Sequence, residues 1–415
     1  MAASEAFSLL STSADSFQAT AEDGGSSRRR AKLSPQGPSS QSNGHARPGR
    51  PAKQDRSSRR RKGSRGLWLF RRSWGLPLLL MIGFLSLYAI NPTESNIVHR
   101  FIFLSYKLDG QDGRYGKGLW DLAFVSFYTI FLTFTREFIM QEILRPLARL
   151  GGIKSRGKQA RFMEQMYTVC YIAFIGPLGL YTMKHTPGLW YFETRGMYES
   201  FPHKTHDAVF KFYYLFQAAF WVQQAIVMIL GQEKRRKDFK ELIMHHIITI
   251  SLIGLSYRFH FTYMGIAVYI THDISDLFLA FSKSLNYLDH PAQGGSFAFC
   301  IAVWIYLRHY INLKILYSIA TEFRTVGPFE LNWETQQYKC WISQAITFGL
   351  LAALQALNLF WLYCLFRSAY RFVFLGIAKD DRSEAEESEI EDAERKMNSR
   401  GKEPALATPN GRRSR

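Results

Sequence analysis

The sequence predicts an all-α, polytopic membrane protein with about eight transmembrane helices that enclose an intramembrane cavity. Two observations support this fold class. Hydrophobic residues make up 47% of the 415-residue chain, and aromatic residues make up 15%. These residues gather into runs of roughly 17 to 25, the length that an α-helix needs to cross about 30 Å of hydrocarbon. The mean hydropathy of the whole chain is only −0.13 because two hydrophilic tails lower it.

Eight apolar runs are predicted to span the membrane, and the first and fifth are the shortest. They cover residues 75–90, 118–140, 162–183, 208–230, 239–257, 261–282, 296–319 and 341–366. The connection between the fifth and sixth runs, near residues 258–261, is very short. We therefore expect these two helices to be antiparallel neighbours.

The two tails and the loop charges predict the orientation in the membrane. Residues 1–73 are rich in Ser, Gly, Pro and basic residues, and hold too little apolar surface to fold. Beside a membrane span, we interpret their basic runs as an orientation signal and a contact for anionic lipid, not as a nucleic-acid site. The loops 141–161 and 231–240 are also basic. The positive-inside rule places all three in the cytosol, and eight spans return the acidic C-terminal tail there.

Two polar clusters interrupt consecutive spans. His245 and His246 lie in the fifth, and His272, Asp273 and Asp276 lie in the sixth. An ionisable group inside a span costs about 2.5–3.5 kcal/mol on insertion scales, so such groups indicate function. At 1.5 Å per residue, both clusters lie roughly 9–15 Å from the cytosolic face. The i,i+3 and i,i+4 spacings predict that the three residues of the sixth span share one helical face, close to the histidines.

Imidazole and carboxylate groups together favour acyl transfer. A histidine oriented by a carboxylate serves as a general base or as a nucleophile. No serine or cysteine nucleophile is well placed, and the four cysteines are too scattered for a disulfide framework or a metal site. The alternatives are histidine as the base and histidine as the carrier of the acyl group. Histidine and aspartate also bind iron or zinc, but the repeated spacings of membrane di-iron oxygenases are missing, so we expect no metal.

Further polar residues lie in other spans. Arg308, near the middle of the seventh, requires a partner, for which Asp273 and Asp276 are the first candidates. We expect the amides of the fourth and eighth spans mainly to join helices by hydrogen bonds. These amides are Gln217, Gln223, Gln224, Gln355 and Asn358. We expect aromatic residues such as Trp221 to pack.

The sequences KDFKELIMHHIIT (237–249) and YITHDISDLFLAFSK (269–283) resemble the signature of the ceramide synthases, the longevity-assurance family with a TLC domain. The similarity covers roughly residues 156–375. No homeobox-like segment lies between the first two spans, so the chain is more similar to the fungal members. The expected organisation is a basic tail (1–73), N-terminal helices (74–155), a TLC catalytic domain (156–375) and an acidic tail (376–415).

The resemblance implies N-acylation of a sphingoid long-chain base by a fatty acyl-CoA in the endoplasmic reticulum, with no cofactor. It assigns catalysis to His245, His246, Asp273 and Asp276. We assign substrate binding to His272 and Arg308, and CoA phosphate binding to Lys234, Arg235, Arg236 and Lys237. The resemblance also implies candidate partners: membrane lipids, a small single-pass accessory subunit and a second ceramide synthase chain in a homo- or heterodimer. The competing functions are a non-catalytic lipid sensor or transporter and a metal-dependent lipid oxidase.

Overall fold

The computed structural model describes residues 72–110, 113–233 and 237–375, and the chain within them is predominantly helical. The predicted tails therefore lie almost entirely outside the described residues. The helices are α1 (Gly75–Ile90), α2 (His99–Ile102), α3 (Asp121–Leu150), α4 (Arg156–His185), α5 (Ala208–Ile229), α6 (Phe239–Arg258), α7 (Thr262–Tyr287), α8 (Gln293–Thr325) and α9 (Trp341–Leu375). Two of them contain a π-helical segment, Ile139–Leu144 in α3 and Ile305–Ile311 in α8.

The predicted polytopic all-α class is confirmed. Seven helices of the described chain, α3 to α9, are long and apolar enough to cross a membrane. The eighth predicted span corresponds to α1, which is apolar but has only 16 residues. At 1.5 Å per residue its length is about 24 Å, somewhat less than the hydrocarbon thickness.

Helix α7 is central to the bundle and contacts α4, α5, α6 and α8. Its close packing against α5 depends on a small residue, as is common between membrane helices. A Cβ atom added at Gly265 of α7 would clash with the Tyr214 ring of α5. Because α6 contacts α7 across the short 259–261 turn, these two helices are the antiparallel neighbours that we expected.

At one end of the bundle, β1 (Arg114–Tyr115) pairs antiparallel with β2 (His206–Asp207). Beside them, Lys211 Nζ lies 2.7 Å from Asp121 Oδ1, and Tyr257 donates a hydrogen bond of 2.7 Å to Asp121 Oδ2. This buried polar cluster joins α3, α5 and α6. We call this end the strand face; it comprises residues 103–120, 186–207, 259–261 and 326–340.

The other end holds the two basic loops. Ala148, Ile153 and Phe162 form a small apolar cluster against Tyr287 and Leu288, which joins the ends of α3, α4 and α7. On the neighbouring side, Arg136 donates to Glu233, and the two side chains are 2.6 Å apart. The loop after α3 and residues 230–233 after α5 therefore lie towards the same end of the bundle, which we call the basic face.

The strand face contains a buried histidine that makes folding sensitive to acid. His203 stacks on Tyr263 with ring centroids 3.6 Å apart. Burial and the nearby Lys117 charge lower the pKa of His203 to about 4. The unfolded chain binds this proton near pH 6.5, so the folded state is fully favoured above that pH and loses stability as the pH falls towards 4. The loss for one such group is about 3 kcal/mol.

We therefore expect the unfolding temperature in detergent to fall as the pH is lowered from 7 to 4.5, and His203→Phe to reduce the fall. Phenylalanine keeps the ring stacking but takes up no proton. Intrinsic tryptophan fluorescence during heating measures both proteins. Because other buried histidines remain, the variant should lose only part of the pH dependence; an unchanged slope would contradict the assignment.

Candidate active site

An apolar cavity opens between α5, α6, α7 and α9, and the loop 326–340 closes its end at the strand face. His245 of α6 and His272 of α7 line one part of the cavity, while Trp333 and Tyr338 line the other. The α6 lining runs from His245 to Phe259 in the adjoining turn, which corresponds to about 20 Å at 1.5 Å per residue. The remaining lining is almost entirely aliphatic and aromatic. A long alkyl chain fits a cavity of this shape.

His245 is buried between two indole rings. Its ring centroid lies 5.4 Å from that of Trp221 on α5 and 5.2 Å from that of Trp361 on α9, and both contacts are edge-to-face. The Trp361 indole is itself fixed, because its Nε1 donates to Asp238 Oδ2 at 3.2 Å. His245 Nδ1 is buried and has no hydrogen-bond partner among the described residues. The imidazole is thus held by packing, and its Nδ1 is not engaged by another described residue.

His246 is the second imidazole of the pair, and its plane is perpendicular to that of His245. Its Nδ1 lies 2.9 Å from the carbonyl oxygen of Leu242. Since a carbonyl only accepts, Nδ1 carries the proton, and Nε2 keeps its lone pair. His246 also contacts the Trp221 ring, with centroids 5.9 Å apart. One indole therefore touches both histidines.

Arg308 connects three helices around His272. Its Nε donates to Ser275 Oγ at 2.6 Å and its Nη1 to Asn358 Oδ1 at 3.1 Å, while an Nη2 lies 2.6 Å from Asp276 Oδ1. Asp276 is thus the partner that the sequence analysis required. Asn358 Nδ2 also lies 3.3 Å from His272 Nε2. The π-helical turn of α8 contains Arg308, and such turns are frequent at functional sites.

Asp273 lies in a different environment from Asp276. It is buried and accepts a hydrogen bond from Gln217 Nε2 on α5. The same amide contacts Tyr213, and its oxygen accepts from the Tyr171 hydroxyl at 2.9 Å. These bonds join α4, α5 and α7, so Gln217 has the helix-joining role that we expected of the amides.

The predicted closeness of the aspartates to the paired histidines does not take the form of direct hydrogen bonds in the described chain. Within the described chain, neither His245 nor His246 hydrogen-bonds Asp273 or Asp276. The two aspartates are three residues apart on α7, but their direct partners lie on different helices, Gln217 of α5 for Asp273 and Arg308 of α8 for Asp276. The histidine that shares the cavity with His245 is instead His272.

The basic loop is only partly described. Lys237 is exposed at the start of α6, and Lys234, Arg235 and Arg236 lie outside the described residues. Their assignment to CoA phosphates stays a prediction. Within residues 72–110, 113–233 and 237–375, no cluster of three or more His, Cys, Asp or Glu side chains has an arrangement suited to a metal ion.

Sequence reasoning missed Trp221 and Trp361 as parts of the site. Tryptophan in a membrane span usually packs, and nothing in the spacing relates residues 221 and 361 to the histidines. Asn358 was expected mainly to join helices, with pocket lining as the alternative, and it contacts both Arg308 and His272. One feature of the sequence indicated this role of Asn358, which is the presence of an amide side chain within a membrane span.

Comparison with known proteins gives consistent matches. A family model described as the TLC domain matches residues 161–367. The sphingosine N-acyltransferase-like protein FUM17 of Gibberella moniliformis is 61% identical over 343 residues, which are 80% of this chain and 88% of that protein. The ceramide synthase LAG1 of Saccharomyces cerevisiae is 49% identical over 322 residues, 77% of this chain and 78% of the relative. The sphingosine N-acyltransferase lac1 of Schizosaccharomyces pombe is 47% identical, covering 77% and 83%.

Proposed function

The chain belongs to the ceramide synthases, and we propose that it transfers a fatty acyl group from acyl-CoA to the amine of a sphingoid long-chain base. The observation that carries this proposal is the position of His245 at one end of a long apolar cavity. A reactive imidazole at the end of a hydrocarbon-shaped space suits a substrate with one polar reacting group and a long alkyl tail. Acyl-CoA is itself the acyl donor, so the proposed reaction uses no cofactor.

The orientation of the cavity agrees with this substrate. The thioester carbonyl is placed at His245, the alkyl chain extends towards Trp333 at the strand face, and the CoA nucleotide lies at the basic face. Lys237 and the three basic residues before it supply cations for the CoA phosphates there. Both alkyl substrates partition into the bilayer, so an intramembrane site is where they meet.

We assign the chemistry to the paired histidines. Nucleophilic attack by the His245 imidazole on the thioester gives an acyl-imidazole and releases CoA. The amine then attacks that acyl group, and His246 Nε2, whose lone pair is free to accept, takes the amine proton. In the alternative route the amine attacks the thioester directly, with a histidine as base. Arg308 and His272 bind and position the substrate head groups. Asp273 and Asp276 stabilise the polar residues around them.

The proposal also places the protein in the endoplasmic reticulum membrane, with the basic face and both termini in the cytosol. This orientation agrees with the concentration of Lys and Arg in the loops after α3 and α5. A small single-pass accessory subunit and a homo- or heterodimer are part of the same proposal, carried over from the resemblance to fungal members.

The direct test is acyl-chain-resolved ceramide profiling after expression in cells that lack their own ceramide synthases. We expect new ceramides, and we expect the purified protein to form the same amides from acyl-CoA and a long-chain base. Radiolabelled base allows even slow turnover to be detected. A folded protein that binds the lipids without forming amide would instead be a sensor or transporter, and metal-dependent oxidation of the lipid would indicate the oxidase.

A further inference from the structure

Three residues that line the cavity each carry a buried hydrogen-bond donor without a partner among the described residues. The donors are Trp221 Nε1, Thr249 Oγ1 and the Tyr269 hydroxyl, and they accompany the unpaired Nδ1 of His245. An unsatisfied buried polar group costs about 1–3 kcal/mol, so proteins retain few of them. Their concentration on one cavity indicates that the substrate supplies the missing acceptor.

The unpaired donors of Thr249 and Trp221 differ from many helical hydroxyls of this chain and from the nearby indole of Trp361. Helical hydroxyls of this chain commonly donate to the carbonyl four residues earlier, as Thr129 does to Val125 and Ser251 to Ile247. Thr249 does not. The indole of Trp361 donates to a carboxylate, whereas that of Trp221, which is only 9% exposed, does not donate to any described residue.

Both donors lie beside His245. The Trp221 ring centroid is 5.4 Å from the His245 ring and 5.9 Å from the His246 ring. Thr249 is four residues after His245 on α6, which places their Cβ atoms about 5–6 Å apart on one face. Helical side chains tilt towards the N-terminus, so the Thr249 side chain covers the turn that carries His245. Tyr269 instead packs on Tyr213 and Tyr214, away from the histidines.

On the basis of the acyl transfer proposed above, we propose that Trp221 Nε1–H and Thr249 Oγ1–H form the oxyanion hole. When a nucleophile attacks the thioester carbon, the C=O electron pair moves onto oxygen, and these two donors hold the oxyanion. Collapse re-forms the C=O bond and breaks the C–S bond, and CoA leaves as a thiolate that takes a proton. The same donors hold the second oxyanion when the amine replaces the imidazole.

Trp221→Phe is the first test, because it removes one donor and keeps most of the ring packing. Loss of a single oxyanion-hole donor typically lowers kcat by about 10²–10³-fold. We expect a loss of about 100-fold in kcat for amide formation, with a rise of at most about tenfold in the KM for acyl-CoA. A kcat within twofold of the wild-type value would overturn the proposal, and so would a loss confined to KM.

Trp120→Phe is the control. Trp120 lies beside the start of α3 on the strand face, does not line the cavity and stacks on the Arg100 guanidinium, whose carbon lies 4.4 Å from the ring centroid. We expect this variant to keep a kcat close to that of the wild type. An equal loss in Trp120→Phe and Trp221→Phe would show that any tryptophan change disturbs the fold, and would overturn the assignment.

Thr249 gives an independent test. Thr249→Val keeps the shape and removes the donor, whereas Thr249→Ser keeps the donor. We expect kcat to fall about tenfold or more in the valine variant and to stay within threefold of the wild type in the serine variant. Equal activity of the two variants would remove Thr249 from the oxyanion hole.

Two non-reactive acyl-CoA analogues distinguish the loss of the Trp221 hydrogen bond from a change in packing. The ketone analogue, with CH₂ in place of sulfur, retains the carbonyl; the thioether analogue retains sulfur and lacks the carbonyl. Trp221→Phe should weaken binding of the ketone about tenfold and leave binding of the thioether unchanged. Equal weakening of both would overturn the proposal. If the wild-type protein forms no amide at all, the proposed function fails first, and that result is distinct from these.

Discussion

Replacing His245 with alanine is expected to abolish amide formation, with a loss of at least about 10³-fold in kcat. The reason is its position: the imidazole lines the acyl cavity between two indoles, and its Nδ1 has no protein partner in the described chain. Amide formation from labelled long-chain base by purified protein measures the effect. Thermal unfolding should show a folded variant, since alanine favours the helix.

His246→Ala should cause a comparable loss for a different reason. The bond from Nδ1 to Leu242 fixes the tautomer that leaves Nε2 able to take the proton of the amine. His185→Ala is a control, because His185 is exposed at the end of α4, away from the cavity. Substantial turnover in both His245→Ala and His246→Ala would remove the histidines from the chemistry.

The same variants distinguish the two routes of acyl transfer. Wild-type protein mixed with acyl-CoA alone should release stoichiometric CoA and gain one acyl mass on the peptide that contains His245 and His246. The adduct should be missing from His245→Ala, and added amine should discharge it from the wild type. If CoA is released only after the amine is added, the transfer is a direct attack.

Asp276→Asn is expected to cause a smaller but still large loss of activity. Arg308 is only 2% exposed, and an Nη2 lies 2.6 Å from Asp276 Oδ1. Replacing Asp276 with asparagine removes a negative charge that compensates the Arg308 guanidinium within the membrane. Breaking a fully buried pair costs about 3–5 kcal/mol, and the 31% exposure of Asp276 reduces that figure. We expect lower thermal stability and a loss of about 100-fold in activity, because Arg308 also donates to Ser275 and Asn358 beside His272.

Asp276→Glu and Asp273→Asn are the comparisons for this variant. Glutamate keeps the charge and should retain more activity than asparagine. At position 273 an asparagine oxygen can still accept from Gln217, so the packing of α5 on α7 should survive, and any fall in activity would report the charge of Asp273 itself. Wild-type rates in both asparagine variants at every pH would reduce the aspartates to helix-packing residues.

Several features of this protein were predicted from its sequence alone. The apolar runs located the helices, because a chain in hydrocarbon must satisfy its backbone internally and helices of span length do so. The predicted run 208–230 agrees closely with α5 (Ala208–Ile229), but α4 and α8 extend well beyond 162–183 and 296–319. Their ends are polar, and hydropathy marks only the hydrocarbon part of a helix. The paired histidines and the buried Arg308 were equally visible, since charges are rare in spans.

Only the tertiary structure decided how these residues are combined. Helical spacing describes one helix and gives no information about which neighbour covers each of its faces. Asp273 therefore bonds to α5 and Asp276 to α8, although they are three residues apart. Trp221 and Trp361, which enclose His245, are 140 residues apart in the chain, as their numbers show. The cavity beside them lies between α5, α6, α7 and α9, whose residues at that place are mostly apolar. Sequence periodicity carries no signal for a gap between helices.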